Sequence, residues 1–245
     1  MKIPFYSRFV PEDEYALLSG ALQGGLVSAG TYTQRLQSLF SRRYSTPNLL
    51  LTPSCGHALE LACQLLQLSA GDEVVLCDIS SDTQTLSLAD AAKKITCRTK
   101  AVIAVHYAGI SCDLDSLDGL CQQAGISLIE DAAQAVDAFY KGRALGTIGR
   151  LGAYSFHYTK NFSCGEGGAL VYTKQDRRGA EIFQNNGTNR SEYLHGICDR
   201  YAWVEKGSSP IMSELCGRPR RCVPLPRASP SAPRRQRRPR CRRRR

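Results

Sequence analysis

A lysine and an aspartate in two separate motifs carry the most chemical information in this chain. Lys160 lies in Ser-Phe-His-Tyr-Thr-Lys-Asn (155–161), between a short aromatic strand and the glycine-rich turn 164–168. Asp131 follows the apolar run 126–129, which predicts a buried parallel strand. Pyridoxal phosphate (PLP) requires these two groups. The amine forms a Schiff base with it, and the carboxylate keeps its pyridine nitrogen protonated, so that the ring accepts electrons.

A turn at residues 52–57 could hold the phosphate of such a cofactor. It opens a helix predicted over 58–68, whose first N–H groups lack partners within the helix and whose dipole favours an anion. Gly56 permits close approach, and His57 follows it. A plain capped helix with Ser54 as the N-cap explains the same residues equally well. The sequence leaves both interpretations open.

Three more side chains fall within reach of the same predicted site. Ser155, five residues before Lys160, could add a hydroxyl to the phosphate site. Gln134, three residues after Asp131, could reach the phenolic oxygen of the cofactor. His157 could stack near the reacting group or pack beneath it, and the sequence does not distinguish these roles.

The order of the secondary-structure elements supports a shared site. Apolar runs predict strands at 48–52, 73–76, 101–106, 126–130, 151–157 and 169–172. Helical patterns fall at 11–22, 31–44, 58–68 and 113–123. This alternation predicts an α/β fold with a mostly parallel sheet flanked by helices, whose ligands gather at the carboxyl ends of the strands. Asp131, Lys160 and the turn 52–57 all lie at or just beyond such ends.

The positive charge of the chain is concentrated at one end. The formal net charge is +10, but residues 217–245 hold 13 arginines, no lysine and no acidic residue. The other 19 basic residues face 22 acidic ones, so residues 1–216 carry a net charge of −3. We therefore expect a globular body over 1–216 and a disordered, Arg/Pro-rich tail over 217–245.

Three origins of this tail are open: a basic nucleic-acid or import arm, an unfolded segment, and translation in a wrong frame. The composition changes abruptly after residues 212–215, which favours a frameshift. The tail also lacks the aromatic residues that would stack on bases, so no nucleic-acid partner is predicted.

The remaining composition predicts a reduced, cytoplasmic protein. The nine cysteines of residues 1–216 are scattered without a CxxC pair or zinc-type spacing, so no metal site is expected. Residues 1–6 lack an apolar signal region, and no apolar run is long enough to cross a bilayer.

A set of motifs, taken together, resembles one family of PLP enzymes, the DegT/StrS sugar-nucleotide aminotransferases. The motifs are Leu-Thr-Pro-Ser-Cys (51–55), Val-His-Tyr-Ala-Gly (105–109), Glu-Asp-Ala-Ala-Gln (130–134), Tyr-Lys-Gly-Arg-Ala-Leu-Gly-Thr-Ile-Gly (140–149), Ser-Phe-His-Tyr-Thr-Lys-Asn (155–161), Gly-Glu-Gly-Gly-Ala (165–169) and Gly-Thr-Asn-Arg-Ser (187–191). The resemblance runs nearly continuously from residue 3 to about residue 216. It implies fold type I of the PLP-dependent transferases, with only the large domain present.

The resemblance also implies a role for each candidate residue. Lys160 would be the Schiff-base lysine, Asp131 the partner of the pyridine nitrogen and Gln134 the contact of the ring oxygen. Three residues would lie at the phosphate: Gly56, His57 and Ser155. The implied reaction transfers an amino group from glutamate to carbon 4 of a dTDP-4-keto-6-deoxyhexose, with Lys160 shuttling the proton.

The resemblance further implies a homodimer whose sites borrow residues from the partner subunit. Ser209 falls where such a contribution is expected, although the next residue, Pro210, departs from the family pattern. A related dehydratase has histidine in place of the Schiff-base lysine, so the presence of Lys160 disfavours that activity.

The chain departs from the family in two places. After residues 74–76 the family has a loop with an aromatic residue that stacks on PLP, then a helix and another strand. Here Leu76 passes directly to the sequence that belongs after that strand, so one βα unit is expected to be absent. The small C-terminal domain should begin shortly after residue 215, where the tail stands instead. We therefore expect little transaminase activity, and a non-catalytic remnant is the alternative.

Overall fold

The computed structural model describes residues 13–25, 30–75, 77 and 79–217. Within them lie the helices α1 (Glu14–Gln23), α2 (Thr31–Tyr44), α3 (Cys55–Leu65), α4 (Leu88–Lys94), α5 (Leu114–Ala124), α6 (Arg177–Gln184) and α7 (Arg190–Leu194). The strands are β1 (Leu49–Thr52), β2 (Glu73–Val75), β3 (Thr99–Val105), β4 (Ser127–Asp131), β5 (Phe139–Tyr140), β6 (Arg143–Ala144), β7 (Leu151–Ser155) and β8 (Gly168–Tyr172). The predicted tail after residue 217 lies outside the described residues.

Six of these strands form one sheet in the order β1-β8-β7-β4-β3-β2. The pairs β2–β3, β3–β4 and β4–β7 are parallel, and β1–β8 and β7–β8 are antiparallel. All six strands were predicted from the sequence, and the predicted α/β fold with a mostly parallel sheet is confirmed. Strands β5 and β6 form a separate hairpin.

The sheet is covered on both faces. Every residue of β1, β7 and β8 is buried, as expected for strands that pack against helices on either side. Residues of α3 belong to the apolar cluster on one face, with Leu61, Ile129 and Leu170 among its members. Residues of α2 and α5 belong to the cluster on the other face, with Phe40 and Leu117 among its members.

Several predicted boundaries and several short elements differ from the sequence-based expectation. Helix α3 begins at Cys55 rather than at residue 58, and β7 ends at Ser155 rather than at residue 157. Helices α4, α6 and α7 and the β5–β6 hairpin were not predicted. These helices have five to eight residues, which is too few turns for a clear apolar period.

Strand β2 lies at the edge of the sheet, and no other described strand pairs with its free side. The chain then leads through α4 into β3, so these three elements form a βαβ unit. The expected absence of a βα unit after Leu76 stays a prediction, because Leu76 itself lies outside the described residues.

A buried carboxylate joins the end of β4 to the loop that precedes β7. The side chain of Glu130 is fully buried. Oε1 accepts the N–H groups of Ile148 (2.6 Å) and Gly149 (2.7 Å), and Oε2 accepts that of Gly146 (2.8 Å). The ring Nε2 of His106, also fully buried, lies 2.8 Å from Oε2. These partners offset the cost of removing the carboxylate from water.

Replacing Glu130 should therefore destabilise the whole domain. Glu130→Ala leaves three backbone N–H groups and a histidine buried without their acceptor, and we expect a loss of roughly 3–5 kcal/mol. Urea unfolding followed by circular dichroism measures this loss. Glu60→Ala, on the exposed side of α3, is the control and should change stability by no more than about 0.5 kcal/mol. Equal effects of the two variants would show that the Glu130 contacts contribute nothing.

Candidate functional site

The register of the sheet brings the ends of three strands to one edge. Thr52 of β1 pairs with Gly168 of β8, and Gly168 pairs in turn with Ser155 of β7. Asp131 of β4 pairs with Ala153, two residues before Ser155. Strands β1, β4 and β7 run in the same direction, so their carboxyl ends share this edge. Ligands of open α/β sheets bind at such an edge.

A glycine of β8 lets the start of α3 sit directly on this edge. A Cβ at Gly168 would lie 2.6 Å from the backbone nitrogen of Cys55 and 2.6 Å from the carbonyl oxygen of Ser54. No side chain fits at that distance, so residue 168 must be glycine for the turn to reach its position.

Ser54 caps α3 and still leaves room for an anion. Its Oγ accepts the N–H of His57 at 3.3 Å and lies 2.9 Å from the Nδ1 atom of that ring. The N–H groups of Cys55 and Gly56 come before any possible partner within the helix, so they and the positive end of the helix dipole remain available. Gly56 and His57 are both exposed. The capped helix and the phosphate cradle are therefore compatible.

Asp131 faces the start of α3. Its Oδ1 accepts the N–H of Ala133 at 3.0 Å and a thiol hydrogen bond from Cys55, with Sγ at 3.9 Å. Its Oδ2 makes no hydrogen bond among the described residues. That oxygen could accept a hydrogen bond from a protonated ring nitrogen. Asp131 and the turn before α3 thus open on the same side of the sheet, as the sequence predicted.

Asp131 and Lys160 both influence the thiol of Cys55. Burial is the largest cause that raises the pKa of the Cys55 thiol, the Asp131 carboxylate raises it further, and the Lys160 ammonium lowers it. The net result is a pKa of about 12, so this thiol stays protonated and unreactive near neutral pH. Lys160 follows β7, whose end lies at the same edge of the sheet as Asp131.

Lys160 is half-buried in the loop of residues 157–164, which we call the lysine loop. Its backbone N–H donates to the carbonyl of His157 at 2.9 Å. At the ends of the loop, the N–H of Cys164 donates to Phe156 at 3.0 Å, and the N–H of Phe156 donates to Gly167 at 2.8 Å. The loop is therefore closed at its base by backbone hydrogen bonds.

Ser155 and Gln134 keep a donor free for a ligand. Ser155 is buried, and its Oγ accepts the N–H of His157 at 3.3 Å, which leaves its hydroxyl proton available. Gln134 is exposed, and its Oε1 accepts the N–H of Ala108 at 2.9 Å. That bond orients the amide with its NH2 group directed elsewhere, as a donor to a ring oxygen would need.

His157 is occupied within its own loop. Its Nδ1 lies 2.8 Å from the hydroxyl of Thr159, and its Nε2 lies 3.4 Å from a carboxylate oxygen of Glu166. These contacts favour packing over stacking on a cofactor, the two roles that the sequence left open.

Two contacts at this edge were not foreseen. One is the hydrogen bond that the Cys55 thiol donates to the carboxylate of Asp131. Ala108 lies in a short 3-10 turn with a φ of 52°, a left-handed conformation that directs its N–H to Gln134. Neither contact has a local sequence signal, because each joins residues from separate strand ends.

The rest of the described chain offers no competing metal or membrane site. Among the described residues, no three His, Cys, Asp or Glu side chains are grouped so that they could hold a metal ion. None of the described helices is long and apolar enough to span a membrane. A cavity of about 380 Å³ lies at the opposite end of the sheet, lined in part by Arg43, Arg143 and Arg150, and shares no residue with the edge described above.

The groups at this edge fit PLP. They include an amine, a carboxylate with one free oxygen, and an open helix start next to a serine hydroxyl. These match the aldehyde, the ring nitrogen and the phosphate of that cofactor.

Comparisons with known proteins point the same way. The model of the DegT/DnrJ/EryC1/StrS aminotransferase family matches residues 74–216. An aminotransferase from Psychrobacter cryohalolentis is 26% identical, with a TM-score of 0.79 over 86% of this chain and 61% of that one. The PLP form of a Streptococcus pneumoniae protein assigned as a sugar aminotransferase is 25% identical, with a TM-score of 0.79 over 89% of this chain and 64% of that one.

A third similar structure is 3-amino-5-hydroxybenzoic acid synthase, which is 25% identical, with a TM-score of 0.79 over 88% of this chain and 61% of that one. The chain thus spans less than two thirds of the length of each of these structures. PLP is the cofactor of this family, and one of these structures is a PLP form.

Lys160 should be the residue that carries PLP. Borohydride reduction of the cofactor-loaded protein, followed by peptide mapping, should find the pyridoxyl group on Lys160, because its loop follows β7 at the same edge of the sheet as Asp131 and the start of α3. Lys160→Ala should abolish the label, and Lys174→Ala, outside the site, should leave it unchanged. A pyridoxyl group on Lys141 or Lys174 in the unmodified sequence would contradict the assignment.

Proposed function

Since this chain belongs to the DegT/DnrJ/EryC1/StrS aminotransferase family, we propose that its site is built for PLP-dependent amino transfer to a nucleotide sugar. The observation that carries the proposal is the hydrogen bond from the Cys55 thiol to Asp131, which joins the start of α3 to the end of β4 at the edge where the loop of Lys160 follows β7. These groups come from three separate stretches of the chain and have no common structural task.

Each side chain has a defined part in this proposal. Asp131 would hold the proton of the ring nitrogen through its free Oδ2, and Gln134 would donate to the ring oxygen. The open N–H group of Gly56, the neighbouring residue His57 and the hydroxyl of Ser155 would bind the phosphate. PLP, when bound, supplies an electron sink for the bonds of the substrate carbon. The amine of Lys160 would then carry the proton to and from that carbon.

The substrate proposal rests on two motifs that distinguish members of the family. Gly-Thr-Asn-Arg (187–190) and Gly-Ser-Ser (207–209) most resemble dTDP-4-amino-4,6-dideoxygalactose transaminase of enterobacterial common antigen synthesis. The two motifs lie against each other, since the N–H of Asn186 donates to Ser208 at 2.9 Å and Gly207 packs on Gly187. We therefore propose glutamate as the amino donor and a dTDP-4-keto-6-deoxyhexose as the acceptor.

A non-catalytic remnant of such an enzyme is the second candidate. It is supported by the sequence after β2, where residues 76–98 contain no aromatic residue that could stack on the ring as the family leads one to expect.

For either candidate we propose that residues 1–216 form the domain and that residues 217–245 form a separate tail. We also propose that the protein is cytoplasmic.

A homodimer completes the proposal. From α7 to residue 204 the chain exposes six large apolar side chains: Tyr193, Leu194, Ile197, Tyr201, Trp203 and Val204. The rings of Tyr193 and Tyr201 lie 6.2 Å apart, and an exposed apolar patch usually marks an interface between proteins. Ser209 follows shortly after it, at the position where a contribution to the partner's site is expected.

Trp203 should therefore contribute to dimerisation. Sedimentation velocity of the unmodified chain should show a dimer at micromolar concentration, and Trp203→Ser should weaken it by about tenfold or more, since tryptophan anchors interfaces. Tyr15→Ser is a matched control, because both side chains are 79% exposed and Tyr15 lies on α1. A monomeric unmodified chain would contradict the dimer proposal.

Turnover by the chain as written should be low. The stacking aromatic residue would contribute on the order of 1 kcal/mol beyond the area it buries. Loss of a strand and a helix costs more, since the net stability of a domain is only about 5–15 kcal/mol. The measurement is amino transfer from glutamate to the dTDP-4-keto sugar by residues 1–245, with Lys160→Ala as the blank. Turnover equal to that of a full-length relative would show that the missing unit is dispensable.

A further inference from the structure

The segment of residues 210–217, which we call the clasp, docks against both α2 and the base of the lysine loop. Two of its side chains are almost completely buried: Met212 is 1% exposed and Glu214 is 4% exposed. Residues 214–216 form a turn, held by contacts with residues distant in the sequence.

Glu214 accepts hydrogen bonds from the first residues of α2. Its Oε2 accepts the N–H of Tyr32 at 2.9 Å, and its Oε1 accepts the N–H of Thr33 at 3.0 Å and the hydroxyl of Thr33 at 2.6 Å. The N-cap residue of α2 is Gly30, which has no side chain to supply this acceptor. A carboxylate at this position also interacts favourably with the helix dipole. Glu214 thus ties the clasp to α2.

Met212 contacts the point where the lysine loop closes. Its Cε lies 2.7 Å from the position that a Cβ at Gly167 would occupy, so the methyl group packs directly on that glycine. The carbonyl of Gly167 accepts the N–H of Phe156, and Phe156 in turn accepts the N–H of Cys164. These two bonds form the base of the lysine loop. Met212 therefore supports the base of the loop that carries Lys160.

Helix α2 supports the same point from a second direction. The ring of Phe40 in α2 packs edge-on against Phe156, with ring centroids 6.0 Å apart, and against Tyr154 at 4.9 Å. The clasp, α2 and the base of the lysine loop therefore form a closed set of contacts. A change at Glu214 reaches Phe156 both through Met212 and through Phe40.

We propose that Met212 and Glu214 are positioning residues for Lys160, an inference that rests on the proposed function of this lysine. Truncation of Met212 leaves a space under Gly167 and lets the base of the lysine loop shift. Removal of the Glu214 carboxylate frees the clasp from α2 and has the same consequence. In both cases the amine of Lys160 is held less firmly beside Asp131, so PLP binds less tightly to Lys160.

The test compares Met212→Ala and Glu214→Gln with Leu117→Ala in the full chain. Leu117 is a fully buried core residue of α5, so its truncation lowers stability at a position outside the clasp and the lysine loop. The readouts are the melting temperature, the visible circular dichroism of bound PLP, and the fraction of Lys160 labelled by borohydride as PLP is titrated. Met212→Leu, which nearly conserves volume, tests for rescue.

Met212→Ala and Glu214→Gln should each weaken PLP binding at Lys160 by about tenfold and reduce the visible dichroism. Leu117→Ala should bind PLP within twofold of the unmodified chain despite an equal or larger loss of melting temperature, and Met212→Leu should restore binding. Where Met212→Ala does not fold, the milder Met212→Val takes its place.

If PLP affinity decreases only in proportion to melting temperature, and Met212→Ala binds PLP no more weakly than Leu117→Ala, the inference is overturned. The proposed function would then remain intact. Absence of the label from Lys160 in the unmodified chain would overturn both.

Discussion

The site depends first on the way that the end of β4 is fixed inside the protein. Successive side chains of a strand point to opposite faces, so Glu130 and Asp131 serve different sides of the sheet. The buried carboxylate of Glu130 gathers three N–H groups of the loop before β7 and the ring of His106. The backbone carbonyl of Asp131, the residue after Glu130, accepts the N–H of His106 at 3.0 Å. The ends of β3 and β4 are therefore fixed together, and Asp131 stays directed at the start of α3.

The remaining site groups are held by independent constraints that converge on the same edge. Helix α3 is seated against Gly168, where only a glycine allows the approach. The lysine loop is closed by backbone bonds at Phe156 and is supported from beneath by Met212. Because a catalytic amine a few tenths of an ångström out of place loses much of its effect, such support from packing is as important to a site as the reacting groups.

Family membership and fold determine only part of the function. A sheet edge of this kind can place an amine, a carboxylate and an open helix start for one cofactor, whatever substrate approaches from outside. The similar structures include a synthase of 3-amino-5-hydroxybenzoic acid as well as a protein assigned as a sugar aminotransferase. The fold alone therefore does not determine the acceptor.

The sequence by itself determined the strands of the sheet and the position of Asp131 and Lys160 at, or just beyond, two strand ends. Buried parallel strands appear in a sequence as short apolar runs. The residues that follow these runs lie at the edge of the sheet where the strands have their carboxyl ends. Only the tertiary structure decided which distant residues meet there. Cys55 bonds to Asp131 across 76 positions, and Glu214 bonds to Thr33 across 181. No local pattern encodes such contacts, because they exist only once the sheet and its helices have packed together.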